Sequence, residues 1–144
     1  MKEHEHFQER DDSHLDAEDK PTHEQILNSP AALECIEECL NCRRVALQTF
    51  NYCVSRGGVY ANAQLVTIVL DCIEITHLCA DWLRRGSILH HHAAALCAQT
   101  CDECDNRCAG FHDDEEIGKC AKACQACAQA CRGLYEAPAQ ETIS

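Results

Sequence analysis

From Ser29 onward, apolar and small residues return every three or four positions, the period of a helix that buries one face. Ser29 before Pro30 supplies a cap and a first helical residue, and Gly57-Gly58 supplies a stop, which predicts a first helix over Pro30–Arg56. A second helix is expected from about Ala61 to Arg85, ended by Gly86. Ser87 is expected to cap a third that reaches Gly110, and the Asp113-Asp114 pair to open a fourth that ends near Glu136, ahead of Pro138. The β-branched run from Leu65 to Leu70 continues in register with the helical stripe that follows it, so no strand is expected there. Helices of about 22 to 26 residues joined by links of about two to five predict an all-α, up-down-up-down four-helix bundle over residues 29–137. Residues 138–144 are then a short C-terminal tail.

The residues on the inward stripes are what make the pattern unusual. The first helix carries Cys35, Cys39, Cys42 and Cys53, with Ala46 and Thr49 completing a 4-3-4-3-4 spacing. The second carries Cys72 and Cys79 on a stripe with Leu65, Val69, Thr76 and Leu83. The third carries Cys97, Cys101, Cys104 and Cys108, and the fourth Cys120, Cys124, Cys127 and Cys131. Alternating steps of three and four keep side chains on one face, where a bundle normally places Leu and Ile. Outward positions such as Asp102, Glu103, Lys122 and Gln125 are polar, so the predicted core is a thiol-lined tube ~35 Å long.

Fourteen cysteines in 144 residues exceed what packing requires. A free Cys is a small hydrophobe, and one or two buried copies are ordinary. A seam built almost wholly of Cys gives up volume and apolar area, roughly a kcal/mol per site, unless something fills the space. The charge balance narrows the class further. Twelve Lys and Arg against 24 Asp and Glu give a net charge of -12, the wrong sign for nucleic acid or anionic lipid. Half of that excess lies in residues 1–28, an acidic arm that contains His4, His6, His14 and His23 and is expected to be a flexible, solvated tail. That arm lacks a signal-peptide core, and no later segment runs eighteen residues without a charge, which predicts a cytoplasmic protein with reduced thiols.

Thiolates select Cu(I), Zn or iron–sulfur clusters. Structural zinc uses four ligands in a compact knot, and the ferredoxin cysteine run is absent from the chain. Cu(I) accepts two or three sulfurs. Cβ atoms four residues apart on a helix are about 5–6 Å apart, and a linear S–metal–S unit spans about 4.6 Å. The pairs 35/39, 97/101, 104/108, 120/124 and 127/131 therefore each fit one cuprous ion, while the steps 39/42, 101/104 and 124/127 let sulfurs bridge neighbouring ions.

The stretches CIEECLNC at 35–42, CAQTCDECDNRC at 97–108 and CAKACQACAQAC at 120–131 resemble the bacterial copper storage proteins, in particular their cytosolic branch. The resemblance covers residues 30 to 136. It implies a bundle packed with Cu(I)–thiolate sites, often assembled as a tetramer, that holds copper in reserve or out of harm's way; the residues themselves offer no Ser/His/Asp order, phosphate-cradling loop or H-E-x-x-H, so no enzyme is expected. A copper chaperone or a small-molecule copper carrier would be its exchange partner. Richly endowed members carry Cys where this chain has Ala46, Thr49, Thr76 and Ile117, so a lower capacity is expected. Met1 is the sole methionine, and His90, one heptad before Cys97, and His112, four past Cys108, are the candidate ligands at the two ends of the tube. His77, His91 and His92 are expected on the surface.

Other functions fit less of the sequence. A disulfide-stapled hairpin through Cys104, Cys108, Cys120 and Cys124 uses four of fourteen cysteines and needs an oxidising compartment. A thiol-transfer enzyme would need its C-x-x-C at a strand-to-helix turn, whereas 39/42, 101/104 and 124/127 lie within helices. A buffer for zinc or another soft metal remains as an alternative cargo. A second apolar stripe on helix two, Val66, Leu70 and Ile73, with Trp82 near the helix end, suits either packing between helices or a subunit contact.

Overall fold

The computed structural model describes residues 28–111 and 113–143. The acidic arm with its four histidines, and His112, lie outside the described residues. Four antiparallel helices make up the fold: α1 (Pro30–Arg56), α2 (Ala63–Arg85), α3 (His90–Cys108) and α4 (Glu115–Ile143). Helices consecutive in sequence pack on one another, and α4 closes the ring on α1. The upper end of the bundle holds the start of α1, the α2–α3 turn and Cys131; the lower end holds the α1–α2 and α3–α4 connections.

Local chemistry sets the helix ends. Ser29 Oγ accepts a hydrogen bond from Ala32 N at 3.2 Å, with Pro30 at the first helical position. Gly57 and Gly58 both take positive φ, 69° and 58°, which side chains with a Cβ disfavour. A 3₁₀ turn, Gly58–Ala61, then consumes the residues expected to start helix two. The helix begins two residues later because Asn62 Oδ1 caps Leu65 N at 2.9 Å. Gly86, at φ 75°, closes α2 with bonds from Gly86 N to Leu83 O and from Ser87 N to Trp82 O, the double closure that a left-handed glycine permits.

Three expected ends move. Ser87 does not cap the third helix: its Oγ takes Leu89 N in the turn, and α3 starts at His90. That helix ends at Cys108, and Ala109–Phe111 tighten into a 3₁₀ turn. α4 runs past Pro138 to Ile143, beyond the end near Glu136 that the proline suggested; a proline costs one helical hydrogen bond but need not end a helix. α2 is long and apolar enough to cross a membrane by length and composition, yet its cysteine face is buried against the other helices and Asp71 and Glu74 lie on its solvated side.

The core is small-residue and sulfur. All fourteen cysteines are buried, as are Ala46, Thr49, Thr76 and Ile117, the seam positions without Cys. Larger buried aliphatics include Leu83 and Leu134 above, Ile73 and Ile75 at mid-height on α2, and Leu65, Val69 and Ile117 below. Thr76 Oγ1 donates to Cys72 O at 2.7 Å and Thr49 Oγ1 to Val45 O at 2.9 Å, so both hydroxyls are satisfied on their own helices. His77, His91 and His92 are exposed, as expected. The second stripe of α2 is split: Ile73 is buried, Val66 half-buried and Leu70 exposed.

Candidate metal centre

Because each seam advances by threes and fours, every cysteine of a helix points to the same side, and facing seams interleave. All fourteen are free thiols. Their closest sulfur neighbours lie across the bundle rather than along one helix. Near the upper end Cys35 Sγ is 3.5 Å from Cys131 Sγ. Below it, Cys39, Cys97 and Cys127 form a triangle with edges of 3.7, 3.8 and 3.9 Å. At mid-height one cysteine of each helix meets the rest: Cys72 is 3.7 Å from Cys42, Cys101 and Cys124, and Cys42 is 3.9 Å from Cys124. Lower down, Cys104 is 3.9 Å from Cys120.

Four groups result, each with all its sulfurs within 4.8 Å of one another: 35/39/79/131, 39/97/127/131, 42/72/101/124 and 104/120/124. Cys39 and Cys131 are shared by the first two groups and Cys124 by the last two, so the groups form a ladder of two linked pairs stacked along the bundle. Cys53 and Cys108 fall outside all four. An ion bound by three sulfurs at about 2.3 Å sits among edges of about 4 Å, close to the triangle seen here. The pairs 35/39, 127/131 and 120/124 do share groups, but each is joined by sulfurs from other helices. Among the described residues no group unites 97 with 101 or 104 with 108. Knobs of facing seams approach more closely than Cβ atoms a turn apart on one helix.

Sulfurs this close share protons. Hydrogen bonds from Cys101 and Cys124 draw Cys42 down to about 7, and those from Cys101, Cys104 and Cys124 draw Cys72 down to about 7. Cys127 is lowered by Cys101 and Cys131, Cys79 by Cys131 and Cys35, and Cys120 by Cys104 and Cys108. The donating partners move the other way: bonds to Cys101 and Cys104 raise Cys124, and those to Cys127 and Cys131 raise Cys39. At the lower end burial pushes Cys53 up, and bonds with Cys104 and Cys120 raise Cys108. The ladder thus holds easily ionised thiols beside thiols that keep their protons, a mixture suited to trading protons for a soft cation.

The two ends differ. At the upper end His90 lies on the α3 seam, 3% exposed, with Nδ1 2.9 Å from Ser87 O and its ring against that of His91. None of the sulfur groups includes it. The lower end is closed by a cluster that the spacing of cysteines did not reveal. Tyr52 Oη and Tyr60 Oη both donate to Asp114 Oδ2, at 2.6 and 3.0 Å, while Asp114 Oδ1 caps Ile117 N at 2.9 Å. Arg56 donates to Tyr52 Oη and lies 4.5 Å above the Tyr60 ring, which packs on Phe111. Burial opposes ionisation of Asp114, but the bonds from Tyr52, Ile117 N and Tyr60 outweigh it and hold the carboxyl below its usual range.

The chain and its fold have known counterparts. Residues 28–136 match the family model described as copper storage protein. Copper storage protein 3 from Bacillus subtilis, copper-free, shares 29% identity over 72% of this chain and 97% of its own, with a TM-score of 0.64. Its Cu(I)-bound form superposes with a TM-score of 0.68. A cytosolic copper storage protein from Streptomyces lividans, solved with five coppers, also shares 29% identity over 72% of this chain and 91% of its own, with a TM-score of 0.68. The same protein loaded with 10 copper equivalents matches at 28% identity over 78% of this chain and 97% of its own, with a TM-score of 0.67. No curated protein sequence shows a significant match. With the family model spanning most of the chain and every cysteine turned into the bundle, the protein belongs to the copper storage protein family.

Proposed function

We propose that this chain stores several Cu(I) ions at once along the core of its bundle, with the buried cysteines as the ligands. The stacked sulfur groups carry this reading, since sulfurs shared within each linked pair, Cys39 and Cys131 in one and Cys124 in the other, serve adjacent ions better than isolated sites. Two thiolates per ion give about seven ions for fourteen cysteines, and extensive bridging raises the figure toward about fourteen. Storage is ligand exchange. At the upper loading, one Cu(I) per thiol, each ion replaces one proton and leaves the net charge of the core unchanged, whereas a divalent ion held by four thiolates leaves two negative charges in a buried site. This favours Cu(I) over zinc. No covalent step is required, in keeping with a non-enzymatic family.

His90 is assigned to the upper mouth, where it receives or hands over copper on the way to Cys35, Cys79 and Cys131; His112 would serve the same role at the other end. The donor and acceptor are a copper chaperone or a small-molecule copper carrier. A cytosolic location is supported by the likeness to the cytosolic Streptomyces lividans protein and by the fourteen unbridged thiols. The working unit is a homo-oligomer, with the tetramer implied by the resemblance. An anaerobic Cu(I) titration against a competing chelator, with a zinc titration in parallel, tests the reading: many tight Cu(I) equivalents and weaker zinc binding are expected. A preference for zinc, or saturation at one or two Cu(I), would reject it. Unchanged loading and removal rates in His90→Ala would remove His90 from the pathway.

A further inference from the structure

Two sets of three sulfurs close on themselves inside the bundle. Cys39 of α1, Cys97 of α3 and Cys127 of α4 form a triangle with edges of 3.7, 3.8 and 3.9 Å. Cys42 of α1, Cys72 of α2 and Cys124 of α4 form another, with edges of 3.7, 3.7 and 3.9 Å. The triangles share no atom, and each takes its corners from three different helices. All six corners are free thiols and 0% exposed. A pyramidal centre with three bonds of about 2.3 Å sets its sulfurs about 3.4 to 3.8 Å apart, so either triangle reaches that shape with shifts of a few tenths of an ångström.

Charge decides what a single triangle can hold. Three thiolates carry three negative charges, and a dry core tolerates no surplus. One Cu(I) in a lone triangle leaves two of those charges unbalanced, and one zinc leaves one. A soft trivalent ion leaves none. Arsenic(III) has that charge and an affinity for sulfur, and its lone pair makes three donors a complete shell. It enters as arsenous acid, As(OH)₃, which is small and uncharged. Each of its hydroxyls leaves as water with the proton of one thiol. Three As–O and three S–H bonds are thereby replaced by three As–S and three O–H bonds, and arsenic stays trivalent throughout. No net charge enters or leaves the core. Enclosure then favours the product, because the water needed to reverse the exchange must come back into a buried site.

We infer that the triangles 39/97/127 and 42/72/124 are binding sites for trivalent arsenic, so that the chain traps arsenite as well as a cargo of copper. This stands on the sulfur geometry and does not require the storage reading. Titration of the full chain with sodium arsenite, copper-free, reduced and without oxygen, tests it. Native mass spectrometry is expected to show two tight equivalents per chain, each adding one arsenic less three hydrogens. With three thiols consumed per ion and two ions bound, eight of the fourteen cysteines should remain free. X-ray absorption should show three sulfurs and no oxygen around arsenic. Cys97→Ala and Cys72→Ala should each lose one equivalent, and the double variant both, whereas Cys53→Ala and Cys108→Ala should lose none. Where an alanine variant loses helicity, Cys97→Ser and Cys72→Ser, which keep the volume, replace it. Weak or absent arsenic binding, oxygen in the arsenic shell, or an equal loss in Cys108→Ala overturns the inference. A chain that takes up arsenic but only one or two Cu(I) counts against the storage reading alone.

Discussion

The upper and middle parts of the bundle hold ten of the fourteen cysteines, drawn from all four helices; the lower part holds Cys53, Cys104, Cys108 and Cys120. Three of the four sulfur groups belong to the upper and middle parts, and the lower group, 104/120/124, comes from α3 and α4 alone. Opposite it, α1 and α2 present Ala46, Thr49, Leu65 and Val69, all buried, and Ile117 of α4 adds to them. The same wall ends in the tie of Tyr52, Tyr60 and Asp114. The lower part therefore packs like an ordinary bundle core with a short sulfur strip along one side, while the middle is lined by sulfur from all four helices and the upper end closes on Leu83 and Leu134. If the sulfur groups are the copper sites, as proposed, capacity is concentrated in the upper and middle parts and the lower part contributes more aliphatic packing than ligands.

The strongest test of that division is pH. Cys42 and Cys72, drawn down to about 7 from the ordinary thiol range, are available as thiolates above neutrality, and that availability is lost as pH falls through 7. Apparent Cu(I) affinity should fall by about tenfold per pH unit for each proton released as the solution is acidified below 7. Between pH 7 and 9 Cys42 and Cys72 should take up copper ahead of Cys53 and Cys108, whose thiols are raised. Chelator competition across this range would check both, and a flat profile would contradict the exchange of protons for copper.

Removing single sulfurs gives a smaller effect and a more local one. Cys72→Ala takes a thiol that touches one from each other helix, so it should lose about one to two coppers by titration. Cys108→Ala, outside every group, should lose at most about one. Equal losses would show that the two parts load alike.

The smallest change expected is a gain. Thr49 lies on the seam one turn before Cys53 and beside Cys120, so Thr49→Cys would add a third wall to the lower strip. It should raise the copper count by about one at little cost in stability, since the volumes are similar. No gain would indicate that the lower end is closed to copper for a reason other than its missing thiols.

Much of this was readable from residue spacing, and the reason is periodicity. A 4-3-4 run fixes which face of a helix is buried, so all fourteen cysteines and the four seam positions Ala46, Thr49, Thr76 and Ile117 were placed inward correctly. Glycine at Gly57 and Gly86 marked helix ends because only it takes positive φ there without strain. Spacing along one helix says nothing of the height at which it meets another, so the cross-helix partners, such as Cys35 with Cys131, needed the assembled bundle. The same limit hid the lower closure, where Tyr52, Tyr60 and Asp114 come from three separate segments. The outer face of α1 carries exposed Leu33, Leu40, Leu47 and Val54, but the cysteine heptad on the same helix masked them, and the α2 stripe drew attention although its Ile73 is buried.

The central claim is that one chain holds many copper ions inside a four-helix core. Native mass spectrometry of the anaerobically loaded protein, after excess copper is removed by a weak chelator, counts them directly. Between about seven and about fourteen Cu(I) per chain are expected from fourteen thiolate ligands. A distribution that stops at one or two ions per chain would contradict it.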